Sequence, residues 1–341
     1  MAVLYQRKGK YYADYRINGR RIRKVLGSSK RIAELALKDI EVKVAKGELG
    51  FTPKDNSLEK LFEEFTTYSK TNHAPNSQKR YRAILDNFKS FIVQFPYLTK
   101  ISHLTTKLFE DYKAYRKNYG AANKTINIEL QMLRAMFYLA MKWGYAVENP
   151  VKGVSPLKDD KSKKPRFLSK EECRILLDNC GPELYPIFYT LLNTGMRKGE
   201  LENLEWDDID FDRRKIKIRI KDDWTPKTSE REIPVNDGLI ELLKHHRDKN
   251  KHSKWVFHHK GERIEPNSLR KKLIFVAKKS GIIGLTKIHT LRHTFASHLV
   301  MSGVDLPTVK KLMGHSDIET TMIYSHLADE HVDKAVEKLS F

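Results

Sequence analysis

Six residues in the C-terminal half of this 341-residue sequence can together act on a phosphate ester: Arg197, Lys227, His289, Arg292, His315 and Tyr324. A phosphodiester attacked by a hydroxyl passes through a pentacoordinate state with extra negative charge on its non-bridging oxygens. Where no metal is held, fixed cations must meet that charge, and a guanidinium does so with a planar two-pronged grip. Arg197 and Arg292 suit this task. A phenol, with an ordinary pKa of about 10, becomes a usable nucleophile when cations lower that value or a base takes its proton. His289 can be the base, His315 can donate to the phosphate, and Lys227 can protonate the departing 5′ oxygen. Lys221 is a nearby rival to Lys227, and Tyr324 is one of 15 tyrosines, so on composition alone it reads as an ordinary aromatic.

The elements that must hold these side chains follow from local pattern. In residues 286–326, Phe295, Ala296 and Leu299 recur at helical spacing, and Arg292 falls on the same face. A guanidinium is rarely buried without an anion or a carboxylate partner, so something negative belongs beside it. Upstream, Ser169 and Glu172 form a capping box. Pro182 to Thr194 is a helix with Ile187, Phe188, Leu191 and Leu192 on one face, and Gly195 ends it as a left-handed cap. Arg197 then sits at the turn, with Glu200 following at helical spacing. Lys215–Ile220 and Lys227–Val235 alternate as two strands of a hairpin with Lys227 near its tip, and residues 238–249 and 266–280 are helical.

Two other chemistries fit the residues less well. His289 and His293 are spaced like a zinc pair, but Thr290 stands where the glutamate of such a motif would be. Asp207, Asp208, Asp210 and Asp212 crowd one turn, whereas a two-metal nuclease draws its carboxylates from separate elements. Neither pattern therefore makes a metal site the expectation. Cys173 and Cys180, at helical spacing beside Leu176 and Leu177, read as core residues.

Charge points to the partner. The chain carries 64 Lys and Arg against 43 Asp and Glu, a net +21 spread from Arg7 to Lys338. A field of that sign attracts polyanions, and its spread argues against one membrane-surface helix. With no signal peptide and no long apolar run, the expectation is a cytoplasmic, nucleoid-associated protein without a membrane partner. Residues 1–50 form a basic unit in which Asn18-Gly19 joins two strand-like runs. Its second strand carries Arg20, Arg21, Arg23 and Lys24, suited to a DNA groove, the reading that the rest of the chain favours over a solvated edge strand guarded by charge. Gly50–Asn56 is a linker. Residues 57–146 are helices throughout, clearest where Ile126, Leu130, Leu133, Phe137 and Ala140 recur. Candidate DNA contacts there are Lys79, Arg80, Arg82, Lys124 and Arg134, each equally readable as solvated surface. Asn149–Arg166 reads as a basic linker, and Val332, Ala335, Val336 and Leu339 lie at helical spacing in the tail.

The joint pattern is specific. LLNTGMRKGELENLEWDDID around Arg197, PKTSEREIPV around Lys227, IHTLRHTFASHLV around His289 and Arg292, and LMGHSDIETTMIYSH around His315 and Tyr324 together resemble the tyrosine recombinase (phage integrase) family. The resemblance implies a mainly α catalytic domain with a small β-sheet, of the DNA breaking-rejoining fold, over 165–341. It also implies an all-α, SAM-like core-binding domain over 57–150 and a small α+β arm-binding domain over 1–50. It implies Tyr324 as the nucleophile forming a 3′-phosphotyrosyl intermediate, Arg197 and Arg292 on the phosphate with His315 assisting, His289 as base, Lys227 as acid, and Glu200 buttressing the arginine. Neither metal nor ATP is implied. The implied activity is integration and excision of a mobile element at core and arm-type sites on double-stranded DNA. The implied assembly is a homotetramer, with a DNA-bending protein and an excisionase as optional partners. A Xer-like dimer resolvase and a catalytically silent DNA-binding regulator are the alternatives; residues 1–50 argue against the first and the complete catalytic set against the second.

Overall fold

A computed structural model describes residues 2–17, 20–45, 56–158, 164–265 and 268–328. It divides into two units, Met1–Ser162 and Lys163–Phe341.

The first unit opens with an antiparallel sheet of β1 (Val3–Arg7), β2 (Lys10–Ile17) and β3 (Arg20–Gly27), followed by helix α1 (Lys30–Ala45). The alternation in β2 buries Ala13 and Tyr15 with Ile40 of α1, as period-two spacing requires. β2 and β3 pair down to Ile17 opposite Arg20. The Asn18-Gly19 turn between them lies outside the described residues.

Four helices follow, α2 (Leu58–Asn72), α3 (Pro75–Ile92), α4 (Thr106–Asn118) and α5 (Asn123–Lys142). Ser57 and Thr105 cap α2 and α4 by accepting from Lys60 and Leu108 backbone N–H, and Pro75 opens α3 where its missing N–H costs nothing. Their core is aromatic: Phe62, Phe65, Phe88, Phe91, Phe109, Tyr112 and Phe137 are all buried, and Phe88 stacks on Phe109 at 5.3 Å. Each such ring contributes roughly 2 kcal/mol by leaving water. The stripe from Ile126 to Ala140 is buried as its spacing predicts.

The stretch expected to be a linker from Asn149 begins instead as part of this unit. Val151 and Val154 are buried in the aromatic core, and Asn127 exchanges hydrogen bonds with Leu157 through its amide (both 2.8 Å). Arg134, a candidate DNA contact, donates to the carbonyls of Val151 and Val154, so packing uses it. Two apolar valines in a basic stretch, with the hydrogen bonds of Asn127 and Arg134, dock it.

The second unit runs α6 (Lys170–Asn179), α7 (Tyr185–Thr194), α8 (Lys198–Glu202), β4 (Ile209–Asp210), β5 (Lys215–Ile218), β6 (Arg231–Pro234), α9 (Asp237–Lys249), β7 (His258–His259), β8 (Glu262–Arg263), α10 (Ser268–Lys279), α11 (His289–Met301), α12 (Leu306–Met313) and α13 (Glu319–Met322), closing with a 3-10 turn at Ser325–Leu327. The capping box at Ser169 is formed in both directions. β4, β5 and β6 make one antiparallel sheet in which Ile209, Ile216, Ile218 and Ile233 face the core. The strands are shorter than their alternating sequences predict, because the segment holding Lys227 leaves the ladder. Strands β7 and β8 come from a stretch without a predicted element. Among the described residues, no helix is long and apolar enough to cross a membrane. The tail expected to be helical lies outside the described residues beyond Ala328.

Candidate active site

The site starts at the end of α7. Gly195 adopts φ 59°, the left-handed cap, and a Cβ there would stand 2.2 Å from Cδ1 of Phe295 on α11. Only glycine meets both demands. The close approach brings the Gly195 carbonyl to Arg292, whose Nη1 donates to it at 2.5 Å and whose Nη2 donates to the Met313 carbonyl at 2.6 Å. Arg292 is 1% exposed, and its buried Nε has no hydrogen-bond partner among the described residues. Burial, then the neighbouring Arg197 charge, push its pKa down to about 9, so it stays cationic at neutral pH.

Arg197 begins α8. Its N–H donates to Glu200 Oε2 (2.8 Å), its Nη1 to Glu200 Oε1 (2.9 Å) and to Thr228 Oγ1 (3.1 Å), and its Nη2 to the Gly314 carbonyl (3.0 Å). Two guanidiniums from distant parts of the chain thus grip consecutive carbonyls at the end of α12. Glu200 is itself buried and accepts both prongs of Arg231 (2.9 and 2.7 Å). Burial alone would raise its pKa, but Arg231 and Arg197 outweigh that and hold it below the usual carboxylate value. Arg231 also lies against Gly314, where a Cβ would be 2.7 Å from its Cδ. Sequence reasoning missed Arg231; its only signal is a charged residue whose side chain belongs on the site side of a short strand.

His315 follows Gly314 and pairs through Nδ1 with Thr321 Oγ1 at 2.8 Å. Partial burial, then Arg292 and Arg197, push its pKa down to about 4. His289 keeps an exposed edge, yet the protein bulk around its ring, then the charges of His293, Arg292, Arg197 and Lys227, also push it down to about 4. Lys227 is exposed, one residue from the Thr228 hydroxyl that Arg197 holds. Tyr324 is 1% exposed and packs with Ala296, Val300, Val309 and Met313. Burial raises its phenol to about 12 while Arg292 pulls the other way. Its hydroxyl pairs with Nδ1 of His293 at 2.6 Å, a residue that sequence reasoning weighed only as half of a zinc pair. The His289 and His293 rings meet edge to face at 4.7 Å. All six predicted residues therefore converge, and Glu200 lies beneath them.

The rivals resolve differently. Lys221 is buried against the Asn203 carbonyl and Asp208 (both 2.5 Å), so it is a structural cation. Asp208 is held by Lys221 and Arg219, and Asp210 accepts the Arg213 N–H, which gives those carboxylates local partners. In the other unit, Arg21 and Arg23 both bind Asp14 (2.8 and 3.1 Å), which spends part of the charge expected to face DNA. Lys24, Lys79, Arg80 and Lys124 are exposed; the Arg20 side chain lies outside the described residues, and its backbone is in β3.

Comparison with known proteins agrees on one family. Residues 166–331 match the phage integrase family model, and residues 57–160 match the phage integrase SAM-like domain. The chain is 30% identical over 287 residues to a XerC-like tyrosine recombinase of Caldanaerobacter subterraneus subsp. tengcongensis, covering 72% of this chain and 73% of that one. Among solved structures, the Tn1549 transposon integrase in complex with a circular intermediate DNA superposes at a TM-score of 0.69 with 21% identity, covering 84% of this chain and 100% of that one. A lambda integrase dimer bound to a COC′ core site gives 0.66 with 17% identity over 96% and 95% of the two chains. The chain belongs to the tyrosine recombinase (phage integrase) family, and it is a site-specific DNA recombinase.

Proposed function

We propose that this recombinase integrates and excises a mobile element through Tyr324. The phenol attacks the scissile phosphate to give a 3′-phosphotyrosyl enzyme and a free 5′ hydroxyl. Arg197 and Arg292 hold the non-bridging oxygens, His315 donates to them, and Lys227 protonates the departing oxygen. The phenolic proton passes to an imidazole of α11. Glu200 with Arg231 fixes the angle of Arg197.

One observation carries this reading: Arg197 and Arg292, 95 positions apart, close on the adjacent carbonyls of Met313 and Gly314, next to His315. Arg197 and Arg231 share the one carboxylate there, Glu200, while Arg292 is held by carbonyls alone. That surplus of positive charge suits a phosphate and lets the reaction proceed without a metal. The bond energy is kept in the phosphotyrosine, so no ATP is needed.

Residues 57–150 act as the core-site clamp, with Lys79, Arg80 and Lys124 on the backbone, and residues 1–50 act as an arm-site reader through β3 and its Lys24. The likeness to lambda integrase, which runs over 96% of this chain, supports an N-terminal unit of that kind. The assembly is a tetramer on DNA. A Xer-like resolvase remains the second reading, favoured by the XerC-like relative, and residues 1–50 weigh against it.

Incubating the full chain with a nicked attachment-site duplex in EDTA should give an SDS-resistant covalent complex that Tyr324→Phe does not form. Equal yields from the two proteins, or a strict need for Mg²⁺, would end the reading. Removing residues 1–50 should leave core-site cleavage intact and reduce integration at least tenfold; undiminished recombination of two-site substrates would sink the arm assignment.

A further inference from the structure

His293 directly follows Arg292 on α11 and lies one helical turn from His289. Nearest-neighbour geometry separates the two imidazoles. The Tyr324 hydroxyl lies 2.6 Å from Nδ1 of His293, inside the range required between a nucleophile and its base. His289 meets the His293 ring edge to face at 4.7 Å. His293 is half-buried, in contact with the reacting oxygen atom, and rides on the same rigid helix as Arg292. Acceptor and phosphate grip therefore keep a fixed spacing.

We infer that His293, and not His289, takes the phenolic proton of Tyr324. The inference rests on the reading of Tyr324 as nucleophile. The O–H bond of Tyr324 breaks as its oxygen bonds to phosphorus, and the proton passes to Nδ1 of His293, making an imidazolium. The bond from phosphorus to the 5′ oxygen breaks, and that oxygen takes its proton from a separate acid, Lys227. With the pocket empty, an imidazolium beside Arg292 is repelled. A bound phosphodiester supplies one negative charge, and the pentacoordinate state supplies more. Proton transfer is thereby tied to the presence of DNA, and the phenol is kept protonated without it. His289 then shields and orients His293.

The test uses the full chain and two nicked duplexes that differ only in a sulfur replacing the bridging 5′ oxygen at the scissile phosphate. A sulfur leaving group needs no acid, so Lys227→Ala should recover on it. His293→Ala should form covalent complex about 10²-fold or more slowly on both duplexes, with DNA affinity within about twofold of wild type. Free imidazole should restore part of the His293→Ala rate, and His289→Ala should lose less than His293→Ala on the sulfur duplex. His293→Gln, compared at a matched unfolding midpoint, should be slow as well. Wild-type or faster cleavage by His293→Ala, a loss repaired by sulfur, or normal cleavage by a folded His293→Gln would each overturn the inference. Covalent complex from Tyr324→Phe would instead overturn the nucleophile itself.

Discussion

Two buried carboxylates in this chain show how similar parts serve different ends. In the helical unit, Glu129 accepts from Tyr112 (2.8 Å), from both prongs of Arg116 (2.8 Å each) and from Asn87 (3.1 Å). One cation meets one anion, neutral donors fill the remaining lone pairs, and the cluster is electrically closed. In the catalytic unit, Glu200 is shared between Arg197 and Arg231, while Arg292 is tied to carbonyls and has no carboxylate hydrogen bond among the described residues. Three guanidiniums against one carboxylate leave an excess of positive charge, and Arg231 also donates from Nε to the Leu312 carbonyl at 3.4 Å. A closed cluster specifies packing. An open one asks for an anion, and its neighbours His289 and His315 are both pushed down to about 4, first by burial and then by the neighbouring imidazole and arginine groups.

Breaking each cluster should therefore have a different readout. The largest effect is expected from Arg292→Lys, which keeps charge and loses the fork: single-turnover cleavage by the folded fraction should fall by about 10³-fold. Arg231→Met should misplace Arg197 and cost cleavage about 10²-fold, with Arg231→Lys recovering part; cleavage kinetics at saturating DNA measure both. Arg116→Met should do the reverse, removing about 3 kcal/mol of stability by stranding Glu129 while the folded fraction cleaves at the normal rate, as urea unfolding and single-turnover cleavage would show. A further effect is expected on acid stability. His246, His289, His293 and His315 all bind protons less readily in the fold than an ordinary imidazole. Between about pH 6.5 and 4 the unfolded chain binds more protons, so the free energy of unfolding should decrease as pH is lowered through that window. Urea titrations at stepped pH would measure it.

Much of the catalytic unit was legible in the sequence because its signals are local. The Ser169 capping box, the Gly195 cap and the spacing of α11 each depend on residues a few positions apart. The six catalytic candidates were legible as a set through their resemblance to one family, although Tyr324 alone carried no signal. What stayed hidden is long-range. Arg231 closing on Glu200, 31 positions away, and His293 meeting Tyr324, also 31 positions away, are set by how strands and helices dock. Glu129 left a faint mark, a charge inside the apolar stripe of α5, but its partners come from α3 and α4. In β3, Arg21 and Arg23 read as free cations, and only cross-strand register placed Asp14 between them.

The central claim is that the surplus charge around Arg197 and Arg292 is completed by a DNA phosphate. Histidine ring titration by NMR on Tyr324→Phe, free and bound to its attachment-site duplex, tests this most directly. In the free protein His289 and His315 should titrate near pH 4, where burial and the arginine charges hold them. With DNA bound, both should shift upward, because a phosphate placed among the arginines favours the charged imidazole. Ordinary titration near pH 6.5 in the free protein, or no shift on binding, would contradict the account.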